Sequence, residues 1–273
     1  MNDYSKELEI AKQAARKGSE IIIQYTTDKD FDIELKGKND LVTDADLATE
    51  KVVLKIIQEA FPEDQVMAEE SQEERRVPEA RTWLVDPIDG TTNFAHGFPI
   101  YCVSVAMWEH REPKVGVVLE VGRDELFSAV KGQGAYLNGS PIHVSKTTDP
   151  ANTLIGTGFP YRDLYLVKHY LELFEYLMHN THGVRRPGSA AFDMCCVAAG
   201  RYDGFYEYSL NAWDVAAASL IIKEAGGVLS DWEGGDNWLF GKRILAGNEA
   251  IHSFLLKAVE EHFTSEERKA EQA

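Results

Sequence analysis

A chain of 273 residues, 44% of them hydrophobic, is long enough to bury a large core, and its three cysteines, Cys102, Cys195 and Cys196, cannot supply the disulfide framework of a small secreted domain. A formal net charge of −17, with no run of Lys and Arg interleaved with aromatics, excludes a nucleic-acid backbone as ligand. No stretch approaches the roughly 20 apolar residues that span a bilayer, and the polar, acidic start lacks the basic flank and apolar core of a signal peptide, so the expectation is a soluble, unprocessed, cytoplasmic protein with no membrane partner.

Leu8, Ile10, Ala11, Ala14, Ala15, Ile21, Ile22 and Ile23 recur at near-helical spacing, which predicts an amphipathic helix ending near Tyr25; a polar stretch with Asp28, Asp30 and Asp32 follows. Leu47, Val52, Val53, Ile56 and Ile57 predict a second helix over residues 44–60, with Thr43 and Asp44 as cap candidates and Pro62 just beyond its end. The pattern then shortens, and residues 83–85, 101–108, 115–121 and 126–130 read as strands, with Asn138-Gly139 marking a tight turn. After Pro150 the chain alternates: strand 154–157, helices 164–178 and 189–199, a strand near Phe205, helix 213–225, strands 228–230 and 244–246, and a last helix 249–262. A meander followed by alternation implies mixed sheets covered by helices, an α+β architecture. No repeat or linker divides residues 1–273, so they are expected to form one compact unit with sub-regions of about 1–150 and 151–262, and the charged residues 264–273 a solvated tail.

The acidity sets a problem, because a site for an anionic substrate must be made locally positive. Trp83-Leu84-Val85 is apolar enough for a buried strand and delivers Asp86 at its C-terminal end, where open α/β sheets place ligands. Pro87 bends the chain, and Asp89 follows one turn on, so the two carboxylates and the Ile88 carbonyl can converge as hard oxygen ligands suited to Mg²⁺. Gly90 leaves room for close approach, and Thr91 and Thr92 offer backbone N–H groups at a helix start to an anionic oxygen. A single Asp-Pro is ordinarily a turn, but a turn requires neither two convergent acids nor the glycine. A further acid, Glu69 or Glu70, follows the apolar run ending at Met67, whereas Glu73 and Glu74 read as a solvated face. Asp214 opens an apolar helix closed by Gly226-Gly227, where an aspartate complementing the helix dipole is explanation enough when taken alone. Together, Asp86, Asp89, Asp214 and Glu69 would be an untenable cluster of like charge unless cations bind, and two divalent ions roughly 3.5–4 Å apart would neutralise them.

Competing motifs fail in detail. There is no Walker loop, Gly132-Gln133-Gly134 lacks the third glycine of the dinucleotide fingerprint, and His179 and His182 do not follow a zinc-protease pattern. Asp86 and Asp89 are three residues apart, not the two of a haloacid dehalogenase phosphatase, which argues against an aspartyl-phosphate mechanism. Cys195-Cys196 lies within an apolar helix and reads as core.

Glu69-Glu70-Ser71, WLVDPIDGTTNF over residues 83–94 and WDVAAASLIIKEAGG over residues 213–227 resemble the inositol monophosphatase family. The likeness runs nearly end to end, through DLVTDAD at residues 40–46 and RPGSAA at residues 186–191. It implies a layered αβαβα fold, usually a homodimer, with Mg²⁺ activation by two or three ions and inhibition by lithium. By position, Glu69, Asp86 and the Ile88 carbonyl would hold one metal, Asp86, Asp89 and Asp214 a second, and a third would share Glu69. The resemblance also puts the phosphate on the backbone of Gly90 and Thr91 and pairs Asp46 with the Thr91 hydroxyl beside the attacking water. Glu207 would contact substrate hydroxyls in a pocket lined by Ser189 and Ala190. The reaction implied is in-line displacement by an activated water near Glu69 and Thr91, without a covalent phosphoenzyme.

Relatives hydrolyse inositol phosphates, fructose 1,6-bisphosphate, histidinol phosphate, nucleotide 3′-phosphates or NADP with much the same acids. Glu207 favours a polyol, and myo-inositol monophosphate is the expected substrate. Residues 158–162, GFPYR, depart from the animal inositol enzymes and look bacterial, which makes Arg162 a candidate to read a second substrate charge. A reading of a different class makes the chain a regulatory binding partner with a vestigial site; the intact set of costly clustered acids argues against it.

Overall fold

A computed structural model of the chain describes residues 3–28, 32–37, 40–70, 79–161 and 163–269. Helix α1 (Ser5–Asp28) buries Ala11, Ala14, Ala15 and Ile22, the stripe its periodicity marks out. The polar stretch after it doubles back as an antiparallel ribbon, β1 (Ile33–Gly37) with β2 (Asp40–Thr43), which leads directly into α2 (Asp44–Ala60). Next, β3 (Gln65–Ala68) pairs parallel with β4 (Thr82–Asp89), and a short helix α3 (Thr91–Ala95) follows. β5 (Cys102–Glu109), β6 (Glu112–Glu120), β7 (Glu125–Val130), β8 (Ala135–Leu137) and β9 (Ser140–Ile142) continue antiparallel in chain order, completing a seven-stranded sheet. Asn138 and Gly139, at φ 48° and 80°, make the tight turn between β8 and β9.

The second half builds another sheet. β10 (Leu154–Thr157), α4 (Val167–Asn180), β11 (Gly183–Arg185), α5 (Ala190–Ala198), β12 (Gly204–Tyr208), α6 (Ala212–Glu224), β13 (Val228–Ser230), β14 (Arg243–Gly247), α7 (Glu249–His262) and α8 (Ser265–Arg268) follow in turn. The strand order is β11-β10-β12-β14-β13, with β10 parallel to both its neighbours and the remaining pairs antiparallel.

Contacts between elements give five layers: α1 and α2, the seven-stranded sheet, α5 and α6, the five-stranded sheet, then α4 and α7. α5 and α6 are covered on both sides, which explains why their sequences are apolar almost all round rather than striped. α6 comes so close to β6 that a Cβ on Gly116 would lie 2.5 Å from the Ala217 carbonyl oxygen. Among the described residues no helix is long and apolar enough to cross a membrane.

Of the stretch expected as a solvated tail, residues 264–269 are described, and they are tied back to the body of the protein. Thr264 caps α8, Glu267 pairs with His169 at 3.0 Å, and Arg243 Nε donates to the Glu267 carbonyl at 3.1 Å. Charge composition marks these residues as hydrophilic but does not reveal the partners that α4 and β14 present to them.

Candidate active site

Every residue of β4 is buried, and the strand does not stop at Asp86. Its ladder with β5 shifts register there: Asp86 stands opposite Ser104 and Asp89 opposite Cys102. In a regular strand, residues three apart point to opposite faces. One extra residue on β4, at the bend Pro87 imposes, restores both carboxylates to a single pocket. The convergence expected from a turn is therefore produced by a bulge.

Gly90 follows at φ 106°, a left-handed conformation that glycine alone adopts without strain, and a Cβ there would lie 3.0 Å from the Ile100 carbonyl. That kink starts α3, and Thr91 Oγ1 lies 2.9 Å from Asp46 Oδ1 and 3.0 Å from the Ile88 carbonyl. Asp46 is wholly buried; its other oxygen accepts the Thr43 N–H at 2.8 Å and the Thr43 hydroxyl at 2.6 Å. One carboxylate thus caps α2 and holds Thr91.

Glu69 leaves the end of β3 and lines the pocket, and the structure separates it from Glu70, which does not. Glu70 N–H donates to Glu50 Oε2 at 2.8 Å, so the buried Glu50 fixes this corner, a role with no signal in the sequence. The Asp86 and Glu69 carboxyls share a hydrogen bond. Burial first, then the charges of Glu69, Asp89 and Asp214, push the Asp86 carboxyl well above the usual carboxylate range. Asp214 enters from α6, where Oδ2 also accepts the Asn211 N–H at 2.7 Å and caps the helix.

Asp89 is gripped by the start of α5. Its Oδ2 accepts Ser189 Oγ at 2.7 Å, Ala191 N–H at 2.7 Å and the Cys102 thiol at 3.6 Å, while Oδ1 accepts Ala190 N–H at 3.2 Å. Burial raises its carboxyl and these donors partly reverse the effect. Ser189 and Ala190 line the pocket as expected, and in addition they anchor an acid; the contribution of Cys102 was not foreseen.

On the opposite wall Glu207 projects from β12, with burial pushing its carboxyl up to about 8 against the pull of Arg186. It occupies the place a side chain on Gly158 would take: a Cβ there would lie 1.8 Å from Glu207 Oε1. Asp193, in α5, is buried nearby with Oδ1 lacking a hydrogen-bond partner, its carboxyl raised well above the ordinary value by burial and then by Glu207. These walls enclose a cavity of about 150 Å³. Arg162 lies outside the described residues.

Residues 3–264 match the profile of the inositol monophosphatase family. The chain belongs to that family. The Nus factor SuhB of Escherichia coli (strain K12) is 40% identical over 250 residues, covering 91% of this chain and 94% of that protein. The crystal structure of the suhB protein of Bartonella henselae is 36% identical with a TM-score of 0.89, covering 94% of this chain and 100% of the other. The inositol monophosphatase of Anabaena (Nostoc) sp. PCC 7120 is 35% identical with a TM-score of 0.83, covering 97% and 99%. The αβαβα layering expected from the resemblance is thereby confirmed as the family fold.

The inositol monophosphatase family is a phosphatase family, and the donors in this pocket have the chemistry of a hard-cation site: four carboxylates and a backbone carbonyl, all oxygen. Asp86 Oδ1 is buried without a hydrogen-bond partner, and the Asp86–Glu69 contact requires either a shared proton or a cation in its stead. Among the described residues no three His, Cys, Asp or Glu side chains are already drawn into a closed ligand shell. The donor types fit a divalent cation, and its binding would draw on carboxylates that now serve as helix caps and as acceptors for α5.

Proposed function

We propose that this protein is a divalent-cation-dependent phosphomonoesterase acting on a small polyol phosphate, with myo-inositol monophosphate as reference substrate. The observation that carries the reading is the β4 bulge, which sets Asp86 and Asp89 on one pocket wall directly before the Gly90 kink and the Asp46-bound Thr91. Glu69, Asp86, Asp89, Asp214 and the Ile88 carbonyl would hold the cations, Mg²⁺ being the hard ion such donors suit. Once bound there, the ions would neutralise the acids, favour ionised water and stabilise the departing alkoxide.

The chain's own groups do the positioning. Gly90 and Thr91 N–H groups hold phosphate oxygens at the start of α3. Asp46 accepts the Thr91 hydroxyl proton, which turns a Thr91 lone pair toward the attacking water, and Glu69 takes up the proton that water releases. Ser189 and Ala190 wall the alcohol pocket, where Glu207 orients the hydroxyls. Attack is in line, with no covalent intermediate.

A single turnover in H₂¹⁸O, with Mg²⁺ supplied, should place solvent oxygen in the released phosphate and leave no trappable phosphoprotein; an aspartyl phosphate would overturn the reading. Asp89→Asn is expected to fold and to lose at least about 100-fold in turnover, since it removes a cation-holding carboxylate but keeps an acceptor for α5.

The name of the E. coli relative favours a second reading, a regulatory binding role like that of a Nus factor. A panel of phosphate esters, with Mg²⁺ and with or without lithium, separates the two: hydrolysis with saturable kinetics supports the enzyme, and silence across the panel supports the regulator.

A further inference from the structure

Five carboxylates line the pocket, those of Glu69, Asp86, Asp89, Glu207 and Asp214, and among the described lining residues Arg186 is the one cation. Its guanidinium carbon lies 5.7 Å from the Phe159 ring centroid and 5.1 Å from that of Tyr161. The two rings meet edge to face with centroids 6.1 Å apart. Nη1 rests against Gly188, where a Cβ would come within 2.8 Å, immediately before Ser189 and Ala190. Arg186 therefore stands on the alcohol wall, and its charge is felt at Glu207 and Asp193.

Aromatic rings hold this guanidinium and no acid spends its donors: it makes no hydrogen bond or ion pair with any residue the structure describes. Ring contacts of this kind draw on the charge of the guanidinium and do not use up its N–H donors, the groups that make paired bonds to a carboxylate or phosphate. An arginine needed only to offset the pocket acids would be expected to pair with Glu207, the acid whose ionisation it already favours.

We propose that Arg186 is a specificity-determining residue that binds an anionic group on the alcohol half of the substrate, making the preferred ester one whose alcohol carries a carboxylate or second phosphate beside a hydroxyl. This rests on the phosphomonoesterase reading and moves the preferred alcohol from a neutral polyol to an anionic one. It also gives the described Arg186 the task that the sequence assigned to Arg162.

The test compares 2-phosphoglycerate with glycerol 2-phosphate, which differ by one carboxylate in place of one hydroxymethyl group, using the full chain with Mg²⁺. The expected wild-type kcat/KM favours 2-phosphoglycerate. Arg186→Gln should cost that ester about 10- to 100-fold, the worth of a charge-assisted hydrogen bond, and change glycerol 2-phosphate about twofold or less. Arg186→Lys, which keeps the charge and loses the fork, should fall between. Equal losses on the two esters, or no wild-type preference, overturn the proposal. Should neither ester be hydrolysed, calorimetric binding of both decides it. Selective loss of 2-phosphoglycerate affinity in Arg186→Gln then upholds the role of Arg186 while the phosphatase reading falls, and unselective binding removes the proposal as well.

Discussion

Thr91 has one hydroxyl proton and two acceptors within reach, Asp46 Oδ1 at 2.9 Å and the Ile88 carbonyl at 3.0 Å. An ionised carboxylate is the stronger acceptor, so the proton goes to Asp46 and the Ile88 oxygen keeps its lone pairs. Thr91→Val preserves the shape and removes the oxygen that orients the attacking water; kcat is expected to fall about 10²- to 10⁴-fold with KM nearly unchanged, and a wild-type kcat in steady-state assays removes Thr91 from the positioning of that water. Gly158→Ala acts at the other wall, because its Cβ would lie 1.8 Å from Glu207 Oε1 and only that carboxylate can yield. The variant should melt near the wild-type temperature, raise KM for inositol 1-phosphate about tenfold, and leave p-nitrophenyl phosphate, which lacks hydroxyls, unaffected. Asp46 and Asp214 show why residue-level reading of the sequence stops short. Each caps the start of a helix, the reading the sequence offers for Asp214 taken alone, and its tie to the other site residues depends on a distant segment, Thr91 in one case and β4 in the other. Cys102 and Asp193 gave no signal, since each sits in an apolar run and meets the acids only in the folded chain, Cys102 across the β4–β5 pairing and Asp193 through the packing of α5.

At the scale of elements, periodicity identified what burial enforces. α2, β10, β13 and α7 occupy the residues expected of them, because each presents one apolar face, or an apolar run, to a neighbouring layer. β1 and β2 escaped notice, being short and polar, and so did the continuation of β4 through Pro87, where Asp89 still pairs with Cys102. α6 was legible as a helix, but its closeness to β6 was not, since that depends on a missing side chain one layer away. Gly116→Ala forces a methyl group against the backbone of Ala217 and should destabilise the protein by about 1–3 kcal/mol, seen as a lower urea midpoint with an unchanged m-value. A wild-type midpoint would mean that α6 moves aside freely.

The molecule as a whole carries a net charge of −17 and concentrates buried acids at one place. Asp86, Asp89 and Glu207, the last up to about 8, all have carboxyls raised by folding. The unfolded chain ionises near pH 4 while the folded site resists. The stability these groups contribute is therefore complete below about pH 4 and is lost as pH rises toward 8. In EDTA the melting temperature should fall across that window, and Mg²⁺ should both raise it and flatten the slope. Global self-repulsion acts in the same direction, so Glu207→Gln is the control: it should recover part of the loss at pH 8, and a slope identical to wild type would place the effect elsewhere. The grip of α5 on Asp89 has a consequence at this scale too. Among the described residues it is the clasp at which β4, from the first half of the chain, is hydrogen-bonded to the segment before β12, from the second, through a carboxylate of the pocket. On the proposed reading, Glu69, Asp86, Asp89 and Thr91 come from the first half of the chain and Gly158, Arg186 and Glu207 from residues 158–209, so drift in that stretch can retune the choice of alcohol so long as residues 189–191 keep their hold on Asp89.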